Sequence, residues 1–192
     1  MATVFDVDDF IQTCLDCLDE GEPRRAIREA VARAVSDPAS VRAALRSEQA
    51  GIRFIHRSDD LTILHVVWAP GMRLFPHDHR MWACIGIHDG REDNEFFRRS
   101  GDGSGLIDSG GKRLDETDVV LLGDDTVHSV TNPLRVPTGA IHVYGGDFVA
   151  QPRSQWVSPS STEEPYDVEI VNRVFADANA AWHDADPSPA AT

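Results

Sequence analysis

The sequence predicts a mainly β fold, a barrel or sandwich with helices at both ends. Three observations carry this. Short apolar runs between Ile52 and Val149 alternate with glycine, proline and aspartate turns. A helical apolar period precedes that region, and a second helical pattern follows it. A length of 192 residues suits about one domain with appendages.

The first region, residues 1–50, reads as a helical subdomain. Phe10, Ile11, Cys14, Leu15 and Leu18 recur at helical spacing, and Gly21 and Pro23 end that helix. A second helix is predicted over Arg24 to Val35. A third starts at Ser36-Asp37-Pro38, with Asp37 as cap and Pro38 at the first position. Residues 51–150 form the β region. Its apolar runs are Leu61–Trp68, Trp82–Ile87, Val119–Leu122 and Ala140–Tyr144, separated by turns such as Ala69-Pro70-Gly71, Asp89-Gly90 and Asn132-Pro133. Residues 151–192 form a C-terminal extension. Pro165 opens a helix over Tyr166 to Trp182 with Val168, Val171, Val174 and Phe175 as its stripe, and a Pro- and Ala-rich tail follows from Asp184.

Charge narrows the partners. The net charge is -14, and Lys112 is the single lysine. Contact with phosphate backbones or anionic lipid needs a basic surface, so neither nucleic acid nor a membrane is an expected partner. No run of ~18 apolar residues is present. The acidic first nine residues predict no signal peptide, and three cysteines, Cys14, Cys17 and Cys84, predict a reduced cytoplasmic protein. Cys14-x-x-Cys17 lies in the first helix's apolar stripe and reads as core. There is no phosphate-binding loop and no Gly-x-Ser-x-Gly elbow.

The chemistry lies in the histidines. Seven of the eight fall between His56 and His142. In His77-Asp78-His79, residues two apart on a strand share a face with Cα atoms roughly 6–7 Å apart, so both imidazoles can converge on one metal ion. His128 follows the turn at Gly123. His142 and Tyr144 share a strand face in Ala140-Ile-His-Val-Tyr144.

A β region with this His-x-His pair, a glycine turn and a later histidine resembles the cupin superfamily. Most cupins carry a Glu about four residues after the pair. Here that stretch is Arg80-Met-Trp-Ala-Cys84, without a carboxylate, and Asp89 and Glu92 lie beyond a predicted turn. The segments Pro76-His-Asp-His79, His128-Ser-Val-Thr-Asn132 and Ile141-His-Val-Tyr144 are similar to those of thiol dioxygenases of the cysteine dioxygenase type. The resemblance covers Gly51 to Phe148, about half the chain.

The resemblance implies a cupin barrel, the double-stranded β-helix, holding Fe(II) through His77, His79 and His128. It implies O2 and a small thiol acid such as cysteine or 3-mercaptopropionate as substrates, and a sulfinic acid as product. Tyr144 matches a tyrosine that reaches substrate and oxygen, and His142 the histidine that holds it. The family's Ser two residues earlier is Ala140 here, which shortens that relay. Cys84 falls where some members carry a cysteine bonded to the tyrosine, so the resemblance implies a Cys84–Tyr144 thioether; a small packed residue is the other reading. A carboxylate substrate calls for an arginine. Arg53 lies near the family's position, ahead of Arg73 and Arg80. Imidazole suits Fe, Ni and Zn alike. A Zn, Ni or Mn isomerase or lyase, a C–C cleaving dioxygenase and a non-catalytic binding cupin are the alternatives.

Overall fold

The computed structural model describes residues 4–185. Residues 1–3 and 186–192, most of the predicted Pro- and Ala-rich tail among them, lie outside the described residues. Three helices come first: α1 (Val7–Asp16), α2 (Pro23–Val35) and α3 (Pro38–Ala44). Asp6 caps α1 by accepting from the Asp9 amide, and Asp37 caps α3 by accepting from the Ser40 amide. Pro23 and Pro38 stand in the first turns, where no helical bond needs their missing N–H.

Eleven strands follow: β1 (Gly51–Arg57), β2 (Thr62–Trp68), β3 (Arg73–Asp78), β4 (Ala83–Asp89), β5 (Arg91–Arg99), β6 (Leu106–Asp115), β7 (Val119–Leu122), β8 (Val127–Thr131), β9 (Thr138–Tyr144), β10 (Ser154–Gln155) and β11 (Glu164–Pro165); α4 (Val168–Ala185) closes the chain. They make two antiparallel sheets, one in the order β1-β2-β9-β4-β7 and the other β11-β10-β3-β8-β5-β6. The two sheets enclose one cavity, the double-stranded β-helix that the resemblance implied.

The inner strands β2, β4 and β9 of the first sheet are buried on both faces. Leu64, Val66, Trp68, His142 and Tyr144 line the cavity, while Ile63, Cys84, Ile141 and Val143 face out into a cluster with Cys14, Ile27, Val31 and Val35 of the helices. Double burial explains why β2, β4 and β9 read as unbroken apolar runs. Gly86 sets the approach of α2: a Cβ there would come within 2.5 Å of Val31 Cγ1. The second sheet ends in the polar ribbon of β5 and β6.

β3 carries a bulge. Leu74 pairs with Val130 and His77 with His128, so three steps on β3 match two on β8. The extra residue shifts the alternation, and His77 and His79 line the cavity together with Leu74. At the other side, α4 packs Val171 and Phe175 against the core, and Phe175 stacks on Trp68 with centroids 5.5 Å apart. Asn179 clamps α4 to Ala50 through bonds of 2.8 and 2.9 Å.

Candidate metal centre

His77, His79 and His128 place one ligand nitrogen each within 4.8 Å of one another, and all three residues are buried. Their ring centroids form a near-equilateral triangle with sides of 5.1, 4.7 and 5.0 Å. Second contacts select the free nitrogen. His77 Nδ1 donates to the Phe75 carbonyl at 3.0 Å, and His128 Nδ1 donates to Asn94 Oδ1 at 2.7 Å. Each therefore offers an unprotonated Nε2. The Nε2 atoms of His79 and His128 stand 3.5 Å apart.

Burial makes these rings ready ligands. It pulls the pKa of His77 down to about 4, with its Phe75 bond opposing. His79 and His128 fall well below the usual value through burial and then through neighbouring histidines. A metal ligand must be the neutral imidazole, and here the neutral form persists below neutral pH. The cluster contains no carboxylate among the described residues. The donor set, three neutral nitrogens gathered at one point, fits one divalent transition-metal ion.

Tyr144 and His142 lie beside the triangle. The Tyr144 ring stands 4.9 Å from that of His79, and its hydroxyl lies 3.0 Å from His142 Nδ1. Burial raises the Tyr144 pKa, so the phenol keeps its proton. Burial lowers His142 to about 3. His142 Nε2 has no hydrogen-bond partner, and Glu92 Oε2 stands 3.8 Å from it. The cavity at the triangle measures about 20 Å³, room for one water-sized group. A groove of about 530 Å³ lies outside it, and Ile52, Phe148 and Tyr166 line both.

The arginines differ from the expectation. Arg53 is exposed and pairs in register with His65; both face the outer side of the sheet, while neighbouring Ile52 faces the cavity. One residue of strand parity separates the two positions. Arg73 is exposed and bonds Glu95 at 2.6 Å. Arg80, in the left-handed region with φ 52°, turns outward to Asp78, Ser154 and Glu163. None of the three faces the histidines. Cys84 is also corrected. Ala83, not Cys84, pairs with Tyr144, and the Cys84 thiol packs under the helices on the opposite face. Alternation across the strand rules out the thioether. His65 and His88 meet each other outside the barrel, with Nε2 atoms 3.1 Å apart.

The arginine that stands beside the cavity, in the adjoining groove, is Arg153, which sequence reasoning missed. Its guanidinium carbon lies 3.8 Å from the Phe148 centroid and 4.0 Å from that of Tyr166, between the two rings shared by cavity and groove. Nε and Nη1 are buried without a hydrogen-bond partner. Its charge reaches the centre, adding to the depression of the His77 and His79 pKa values that burial begins. A half-buried cation with two unmade hydrogen bonds on its enclosed N–H groups is suited to receive an anion. The segment is fixed from behind: the Ser154 amide donates to buried Asp78 Oδ1 at 2.7 Å, and Gln155 pairs with His77. The sequence offered one clue, an arginine between Phe148 and Tyr166.

No protein-family model matches the sequence. Among solved structures, the chain is similar to an RmlC-like cupin family protein with a double-stranded β-helix fold from Methanocaldococcus jannaschii, at 12% identity over 54% of this chain and 86% of that one, with a TM-score of 0.45. A protein from Bacillus halodurans matches at 14% identity over 64% and 84%, TM-score 0.48. The oxalate decarboxylase of Bacillus subtilis, which has Mn(II) centres, matches at 15% identity over 58% of this chain and 29% of its own, TM-score 0.46. The character of this chain rests on its own atoms: two antiparallel sheets around three buried imidazoles that could hold one metal ion.

Proposed function

We propose that the chain is a mononuclear non-haem Fe(II) dioxygenase that adds O2 to a small thiol carboxylic acid. The observation that carries this is the juxtaposition of three neutral imidazoles with the Arg153 guanidinium, two of whose N–H groups lack partners, at the cavity mouth. Both oxygen atoms go to sulfur, R–SH + O2 giving R–SO2H, which needs no further reductant. Fe(II) held by His77, His79 and His128 would supply the redox chemistry and the Lewis acidity that favours thiolate over thiol.

The protein supplies orientation. Arg153 binds the substrate carboxylate through the N–H groups that lack partners, and its rings Phe148 and Tyr166 keep that ion pair dry. The thiol then reaches toward the three imidazoles past Ile52, Phe148 and Tyr166, which line both groove and cavity. Holding the reacting groups together removes the entropy of encounter. Tyr144, protonated and 3.0 Å from His142, turns its O–H toward oxygen as negative charge develops there. Leu74, Val66 and Val130 exclude water.

Anaerobic loading with Fe(II), followed by oxygen-electrode assays with cysteine, 3-mercaptopropionate and cysteamine, tests the reading. We expect thiol-dependent uptake of one O2 per sulfinic acid, strongest for a thiol acid, and loss of iron retention in His79→Ala. Iron binding without O2 uptake from any thiol would overturn it in favour of another cupin chemistry.

A further inference from the structure

A buried acid behind the centre governs one of its ligands. Glu92 is 0% exposed, and both its oxygens are engaged. Oε2 accepts from Trp68 Nε1 at 2.8 Å, and Oε1 accepts from Asn94 Nδ2 at 2.9 Å. Asn94 is itself buried and accepts, through Oδ1, from His128 Nδ1. The chain of bonds has a direction. Burial raises the Glu92 pKa, and the bonds from Asn94 and Trp68 lower it; in the ionised form the carboxylate accepts only, which obliges Asn94 to turn its NH2 that way, and so its oxygen toward His128. That oxygen obliges His128 to carry its proton on Nδ1, which leaves Nε2 bare toward His79.

We infer that Glu92 is the positioning residue that fixes the metal-binding tautomer of His128, acting through the Asn94 amide. The inference rests on the metal-centre reading above. A glutamine of the same size has one oxygen for two donors. The Trp68 N–H is held in place, because its ring is buried and stacked on Phe175. With the glutamine oxygen serving Trp68, its NH2 faces the Asn94 NH2. Relief comes from turning the Asn94 amide over, which sets an N–H against His128 Nδ1 and moves the histidine proton to Nε2, where it blocks the metal. Aspartate at 94 restores the order: it accepts from the introduced glutamine on one oxygen and from His128 on the other. Glu92→Gln with Asn94→Asp thus moves the negative charge one step along the chain and leaves the tautomer as in the native protein.

The test compares native protein, Glu92→Gln and the Glu92→Gln/Asn94→Asp pair. Co(II) affinity is measured by competition with a chelator, and the His128 tautomer of each metal-free protein by long-range proton–nitrogen NMR. The single variant is expected to bind Co(II) about 10–100-fold more weakly, the usual cost of losing an outer hydrogen-bond partner. Its His128 carries the proton on Nε2. The pair recovers both the affinity and the Nδ1 proton. Native affinity with an Nδ1 proton in the single variant would overturn the inference, as would a pair no better than the single variant. A packing role predicts that second result. Native protein that takes up no Co(II), with the tautomer following the expected pattern, removes the metal-centre reading and leaves the positioning role standing.

Discussion

Arg153→Met separates recognition from stability. Methionine keeps an unbranched stem between Phe148 and Tyr166 and removes the charge. In the native protein two guanidinium donors lie buried without partners, a cost of about 1–3 kcal/mol for a group so left. Each cation–ring contact offsets about 0.5–2 kcal/mol of it. The two effects nearly cancel, so the melting temperature is expected to move by only a few degrees. With substrate bound the balance is different. A carboxylate held by two N–H groups gains about 1.5–3 kcal/mol per charge-assisted bond, or about 3–6 kcal/mol. At about 1.4 kcal/mol per decade, kcat/KM for 3-mercaptopropionate falls by about 10²–10⁴. Cysteamine, a thiol of similar size without a carboxylate, is turned over slowly by both proteins and at nearly equal rates. Oxygen-electrode kinetics with the two thiols on both proteins decides it. A loss under about tenfold for the thiol acid, or an equal loss for cysteamine, refutes the assignment of Arg153.

Tyr144→Phe is expected to keep its metal, measured by elemental analysis, while kcat drops by about 10²–10³-fold for want of one directed hydrogen bond; an unchanged kcat removes the role given to that hydroxyl. Asp78→Asn leaves Arg80 and Arg99 beside a neutral amide at a position 1% exposed. Both guanidiniums are partly exposed and keep Glu163, so urea unfolding should show a loss of only about 1–3 kcal/mol for the acceptor removed, and KM for the thiol acid should rise because Asp78 also anchors the Ser154 segment. Acid should destabilise the metal-free protein. Burial depresses the folded pKa of His88 to about 4 and of His65 and His142 to about 3, against an ordinary 6.5. Above about 6.5 both folded and unfolded forms are neutral and stability is full. As pH falls from there toward about 4, the unfolded chain takes up protons that the folded chain refuses. The urea midpoint is therefore expected to drop steadily across that window, and a flat midpoint down to pH 5 contradicts the buried neutral state.

The ligand histidines were legible because their signal is local: a two-residue repeat in His77-Asp78-His79 and a single histidine after a glycine turn. The buried sheet was legible for a similar reason, since strands covered on both faces are apolar throughout. β5 and β6 escaped. Their residues Arg91–Arg99 and Leu106–Asp115 are mostly polar, because this ribbon stands at a sheet edge with much of its surface in water. Arg53 and Cys84 failed by one residue each, and parity over a bulged strand is set by pairing with distant partners. Arg153 was hidden for a different reason. Its segment reads as a polar connector, and only tertiary folding carries it to the histidines, where β10 pairs with β3. In the sequence Asp89 and Glu92 stand as the nearest acids, both beyond a predicted turn, and nothing local links Glu92 to the histidines. That turn brings β5 alongside β8, where Asn94 can reach His128.

The bulge at Phe75 and Pro76 has a consequence for anyone who would tidy the strand. Neither residue has a ladder partner on β8, so their carbonyls are spent elsewhere: that of Phe75 on His77 Nδ1, that of Pro76 on the Trp156 amide at 2.9 Å. Shortening β3 by one residue there would give an even two-for-two ladder with both imidazoles still turned inward. It would also take away the spare oxygen that assigns the His77 proton and the hook that docks the chain just beyond Arg153. A regularised strand would thus look better made and hold its ion less well, because the irregularity is where the fold keeps acceptors in reserve.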